Sequence, residues 1–228
     1  MQPGIMTHYC HRKLWIEKCV DEALTEGFQR VVVAGAGFDT LALRLAPQFP
    51  QVEFIEIDHP ATQRQKHTAI ATRGKEIAVA KNLRFIPADL GVEPLPIRAF
   101  DDGKETLLIM EGLLMYLAPK TVDQLFAALG RLGSPIQVVF SFMTQWEDGS
   151  CGFRPRSRWV ERWLASQQEP FTWSVRSAAF DSYLQAFGLP MVKRASTRDL
   201  AVLHGLTEAN LEGEELVLAV NSSASARK

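Results

Sequence analysis

The run Val31-Val32-Val33-Ala34 is apolar and mostly β-branched, and it is followed at once by Gly35-Ala36-Gly37. A strand with no polar alternation must be covered on both faces, which is the situation of a parallel sheet held between helices. Parallel strands cannot be joined by tight turns, so each needs a crossover, and the rest of the chain supplies them. Apolar positions Tyr9, Ile16, Cys19, Val20, Ala23 and Leu24 predict a helix that stops at Gly27. A short helix at Leu41 to Ala46 ends at Pro47, and a second strand at Val52 to Ile57 ends at His59-Pro60. Then follow a helix from about Pro60 to Arg73, strands at Leu83 to Ile86 and Thr106 to Met110, a helix after Pro119, and a strand at Ile136 to Phe142. This alternation predicts an α/β doubly wound, mostly parallel sheet with right-handed crossovers.

With 228 residues the chain fits a single domain. Residues 1–29 form a leading helix, 30–142 a nucleotide-binding half, 143–176 an inserted lid, and 177–221 a closing helix and strand pair. The closing strands are expected near Met191 to Ala195 and Glu215 to Val220, as a terminal hairpin, giving seven strands. The lid segment breaks the alternation and is rich in tryptophan and arginine. It is expected over the carboxyl edge of the sheet.

A formal charge of −1 provides no global field toward nucleic acid or an anionic membrane. The longest apolar stretch, Leu107 to Leu117, is too short to span a bilayer and contains Glu111. Cys10, Cys19 and Cys151 form no CxxC pair and no apolar leader opens the chain, so the thiols read as reduced and the protein as cytoplasmic. His8, Cys10 and His11 lie close together, but only the two histidines share a helix face and no further ligand pair follows. They read as packing or surface groups, with no metal.

Chemistry is expected at the strand tips. Gly35 and Gly37 let backbone approach a ligand where a Cβ would stand in the way, although Thr40 replaces the third glycine of a dinucleotide fingerprint. Asp39 is suited to cap the next helix. Asp58 lies 21 positions after Gly37, the offset at which a carboxylate can accept the hydroxyls of a ribose. Asp89 and Glu111 follow the third and fourth strands, and Glu56 reads as a partner for a nearby cation. Arg12 falls inside the apolar stripe of the first helix, where a cation should meet an anion such as a ligand carboxylate, the alternatives being an arginine that snorkels out to solvent or pairs with Glu56.

The strings Arg12-Lys-Leu-Trp-Ile-Glu17, Val32-Val-Ala-Gly-Ala-Gly-Phe-Asp-Thr40, Glu56-Ile-Asp-His-Pro60, Ala88-Asp-Leu90 and Glu111-Gly-Leu-Leu-Met-Tyr-Leu117 resemble the leucine carboxyl methyltransferase family, which includes bacterial O-methyltransferases similar to those of polyketide tailoring. The resemblance runs in order from residue 5 to about residue 142 and is weak beyond residue 143. It implies a Rossmann-like class I methyltransferase fold and S-adenosyl-L-methionine as cofactor. Arg12 would hold the cofactor's carboxylate, Gly35, Ala36 and Gly37 would line its methionine and ribose, and Asp58 would bind the ribose hydroxyls. Asp89 and Leu90 would flank adenine, with Glu111 near the methionine and the transferred methyl. Compared with many relatives, the segments before Arg12 and after residue 143 are shorter.

The implied reaction is O-methylation of a small-molecule carboxylate or hydroxyl. Arg154, Arg158 and Trp159 of the lid suit an aromatic or carboxylic acid acceptor, because arginine forks match carboxylates and indole rings offer flat apolar walls. Tyr116 and His59 are polar groups near the mouth; Tyr116 is a candidate for acting on the acceptor, with rim packing the alternative, and His59 a candidate helix cap. Two other functions share the glycine turn: a nicotinamide-dependent oxidoreductase, which leaves Arg12, Asp89 and Glu111 idle, and a non-catalytic nucleotide-binding scaffold.

Overall fold

The structure is a computed structural model that describes residues 4–73, 78–155, 171–203, 205 and 211–225. Seven strands form one sheet: β1 (Arg30–Ala34), β2 (Glu53–Asp58), β3 (Leu83–Pro87), β4 (Thr106–Met110), β5 (Ile136–Met143), β6 (Met191–Ser196) and β7 (Glu214–Val220). Their order is β3-β2-β1-β4-β5-β7-β6. The first five are parallel, and β7 runs antiparallel to both β5 and β6.

Alternating residues of each strand point to opposite faces, so an uninterrupted apolar strand feeds two cores at once. On one face Val31, Val33, Phe54, Leu107 and Ile109 pack against Trp15, Ile16 and Val20 of α1 (Ile5–Thr25) and Leu41 of α2 (Leu41–Leu45). On the other, Val32, Ala34, Ile55, Leu108, Met110 and Phe140 pack against Val122, Phe126 and Leu129 of α4 (Pro119–Gly130) and Phe180 of the helix Phe180–Ala186. Pro119 at the first turn of α4 sits where a missing N–H costs nothing. The helix α3 (Pro60–Arg73) joins β2 to β3.

The strand order reverses between the parallel strands β1 and β4, which are neighbours although β2 and β3 intervene in sequence. Such a switch point leaves a crevice at the carboxyl ends of the two strands, because their crossovers depart to opposite faces. Gly35 and Glu111 are the residues that leave those ends.

Two expectations need correction. β6 and β7 pair antiparallel, but they are not a hairpin: the helix Thr197–Leu203 lies between them and packs against α1. A reciprocal cap announces that helix, with Asp199 accepting from the Ser196 N–H at 2.8 Å and Ser196 Oγ accepting from the Asp199 N–H at 3.2 Å. β7 also begins one residue earlier than expected, at Glu214, and that residue matters below. Among the described residues no helix is long and apolar enough to cross a membrane.

Candidate functional site

Gly35 and Gly37 turn the chain out of β1 with φ of +69° and +49°. At Gly35 a Cβ would lie 3.0 Å from Leu113 Cδ1, so the loop leaving β4 is pressed onto the glycine turn; at Gly37 a Cβ would meet nothing within 4 Å. Gly35 and Gly37 are therefore both favoured by conformation, with the Leu113 side chain crowding the space at Gly35 and open room above Gly37. Ala36 between them is buried. The Gly37 N–H donates to Asp58 Oδ2 at the tip of β2, while Asp58 Oδ1 accepts from the His59 N–H at 2.5 Å. An ionised carboxylate offers about four acceptor positions, so Asp58 retains capacity for two further donors.

Asp89, just past β3, accepts from the Gly91 N–H at 3.0 Å and faces His59 Nε2 at 3.6 Å, which brings the tips of β2 and β3 together. His59 also caps α3, its Nδ1 accepting from the Ala61 N–H at 3.1 Å. Leu90 is buried beside Met110, Leu113 and Leu117 in an apolar cleft of about 380 Å³ that extends along α4 to Leu125.

The other half of the crevice is a network of charges. Arg12 Nε donates to Glu111 Oε1 at 2.7 Å, and Arg12 Nη1 lies 2.8 Å from each oxygen of Glu214. Its guanidinium sits over the Tyr9 ring, 4.7 Å from the centroid. Lys13, next in sequence, bridges Glu111 Oε2 and Asp39 Oδ2 at 2.6 Å each. Asp39 also receives the Leu41 N–H at 2.8 Å, but the N-cap position of α2 is Thr40, so Asp39 braces the turn from one residue earlier rather than standing as the cap. Glu56 is not the partner of Arg12; it holds the buried Lys66 at 2.5 Å, and Lys66 in turn donates to the Asp39 carbonyl.

Glu214 and Lys13 were absent from the sequence expectation. A charged pair at the start of an apolar strand reads as solvated flank, and a lysine beside an arginine reads as surface. His8 is also more than packing: it is buried and its Nε2 lies 2.5 Å from Glu214 Oε2. Burial alone would raise the Glu214 carboxyl, but the Arg12 charge and the His8 and Ser141 hydrogen bonds outweigh it and hold the group at about 2. Asp39 is likewise kept below the usual carboxylate range: burial opposes this, and the Lys13 ammonium prevails.

Counting charges within this network, Arg12 and Lys13 face Glu111, Glu214 and Asp39, leaving an excess of one negative charge at the crevice. The surroundings suit a ligand that is cationic at its centre and carries hydroxyls at its edge. Asp58, Asp89, Glu111 and Arg12 all lie along the carboxyl edge of β3-β2-β1-β4 and the helix packed beside it.

Tyr116 lies in the turn after Glu111, partly exposed, its ring 5.6 Å from Phe171. Thr172 also meets this loop, its N–H donating to the Met115 carbonyl at 2.8 Å. Arg154 stacks over Trp146 at 4.3 Å and pairs with Asp148 at 2.8 Å. Arg158 and Trp159 lie outside the described residues.

The model of the leucine carboxyl methyltransferase family matches residues 1–130. A Mycobacterium tuberculosis protein assigned as an S-adenosyl-L-methionine-dependent methyltransferase is 34% identical over 120 residues, which is 51% of this chain and 38% of that relative. A Mycolicibacterium vanbaalenii protein with the same assignment is 32% identical over 127 residues, 54% of this chain and 41% of the relative. The matched segment thus spans about two fifths of the curated relatives. Among solved structures, the magnesium protoporphyrin IX methyltransferase of Synechocystis PCC 6803 with bound SAH superposes with a TM-score of 0.56 at 12% identity, covering 93% of this chain and 84% of that one. That likeness is one of fold.

Proposed function

Because this chain belongs to the leucine carboxyl methyltransferase family, we propose that it transfers a methyl group from S-adenosyl-L-methionine to an oxygen of a small-molecule acceptor, a carboxylate or a hydroxyl. The observation that carries this reading is the convergence at one switch point of the glycine turn, the Asp58 carboxylate hydrogen-bonded to it, and the Arg12–Glu111 pair. In this reading Asp58 accepts the ribose hydroxyls at its two remaining positions, and the apolar cleft walled by Leu90 and Leu113 receives adenine. Gly35, Ala36 and Gly37 line the methionine and ribose, and Arg12 faces the carboxylate. The negative excess of the network favours the sulfonium centre.

The bound cofactor supplies an activated methyl, so no protein nucleophile is needed. The chain's own contribution is to aim the acceptor and exclude water, an effect of roughly 7–11 kcal/mol when the geometry is good. A carboxylate acceptor, with a pKa of about 4, arrives ionised and requires no base. For a hydroxyl acceptor Tyr116 is the candidate polar group. Arg154, with Arg158 and Trp159, supports an aromatic or carboxylic acid as acceptor.

Methyl-labelled S-adenosyl-L-methionine incubated with the protein and a panel of aromatic and carboxylic acids, followed by mass spectrometry, tests the proposal. Label released by mild alkali marks an ester, and alkali-stable label an ether. No transfer together with no binding of the cofactor would overturn the reading, and saturable fluorescence transfer to NADH would replace it with the oxidoreductase.

A further inference from the structure

Glu214 heads β7, opposite Met143 of β5, with its side chain wholly buried. Arg12, His8 and Ser141 converge on it. A carboxylate without access to water cannot let its cation leave cheaply, so it fixes the place of Arg12. Glu111 holds the same guanidinium through Nε, and two carboxylates on neighbouring nitrogens, one from the end of β4 and one from β7, define the plane of the fork.

The direction of the remaining nitrogen follows. Nη2 lies 3.7 Å from where a Cβ of Gly112 would stand, and Gly112 has φ +60°. The Gly112 N–H donates to Ser141 Oγ at 2.9 Å, so the serine that reaches Glu214 also tethers the loop that Nη2 faces. Among the described residues His8 Nδ1 meets no hydrogen-bond partner, which assigns the proton to Nε2 and makes His8 a donor dedicated to Glu214.

We propose that Glu214, held by His8 and Ser141, is a positioning residue that fixes the Arg12 guanidinium so that Nη2 is presented beside Gly112 to the carboxylate of the cofactor. The inference rests on the methyltransferase reading, since it takes the cofactor to carry an amino-acid carboxylate.

Calorimetric titration of the full chain with two probes separates positioning from mere structure. S-adenosylhomocysteine carries the carboxylate; 5′-methylthioadenosine keeps the nucleoside and sulfur but lacks the amino acid. Glu214→Gln is expected to raise the Kd for S-adenosylhomocysteine about tenfold, the loss of an aimed charged hydrogen bond, and to leave the 5′-methylthioadenosine Kd unchanged. His8→Gln is expected to show the same selectivity at about threefold. Equal weakening of both probes, no change, or tighter binding of S-adenosylhomocysteine overturns the inference. If Glu214→Gln does not fold, His8→Gln decides by the same criteria. Wild-type protein that binds neither probe overturns the methyltransferase reading itself, an outcome distinct from wild-type binding without a selective shift.

Discussion

Two arginines, the largely buried Arg12 at the carboxyl edge of the sheet and the fully buried Arg30 at its amino edge, are each held by two carboxylates, yet their partners differ in access to water. Arg30 Nε donates to Glu53 at 2.7 Å, its Nη1 and Nη2 grip Asp102 at 2.8 and 2.7 Å, and Nη1 also reaches the Phe100 carbonyl. Asp102 is 48% exposed and Glu53 21%, and Lys104 and Arg84 stand beside them. The partners of Arg12 are 7% and 0% exposed. At the amino edge only the cation has been taken out of water, and solvent can hydrate the anions if it is lost. At the carboxyl edge cation and anions were desolvated together, so each depends on the others. The first arrangement staples β1 and β2 to the β3–β4 crossover. The second keeps charge fixed in a crevice where a ligand would meet it.

Arg12→Met should produce the largest loss, about 3–5 kcal/mol in urea unfolding, because Glu214 is left charged and without a cation. Acid should come next. The Glu214 carboxyl is lowered from 4.5 to about 2 in the folded protein, so its stabilisation is complete above pH 4.5 and disappears as pH falls through about 2. The melting temperature should decline across that window, and Glu214→Gln should flatten the decline; an equally steep profile in the variant would place the acid sensitivity elsewhere. Arg30→Met should cost less than Arg12→Met, about 1–3 kcal/mol, since Glu53 and Asp102 return to water; equal losses would erase the contrast. Asp102→Asn should cost least, under about 1 kcal/mol, and the effect should shrink further in high salt, as expected for a half-exposed pair.

The sheet was legible because its evidence is local. Val31 to Ala34 and Thr106 to Met110 are fully buried on both faces, and unbroken apolar runs announce that condition. Arg12 was legible as an anomaly, a cation inside an apolar stripe, although the sequence could not say which anion met it. Glu214 carries no such signal: it abuts Glu215 at the edge of a strand, and its partners lie 202 and 206 positions earlier. Lys13 bridges groups 26 and 98 residues away. Pairings of that range are set by how strands order in the sheet, which no local pattern encodes. The helix Thr197–Leu203 was a different kind of miss, since Ser196 and Asp199 hold the spacing of a reciprocal cap and a reader attentive to it could have found the helix.

The placement of β7 has a consequence for how the crevice is completed. The Arg12 guanidinium and the Glu214 carboxylate lie 202 residues apart, the carboxylate on a strand that must slot antiparallel between β5 and β6. A chain truncated before residue 214 would keep the glycine turn, Asp58 and the Arg12–Glu111 pair, yet Arg12 would lose the wholly buried one of its two counterions. The Arg12 end of the crevice is thereby completed only when β7 docks, whereas the glycine turn and Asp58 belong to strands that precede it in the chain.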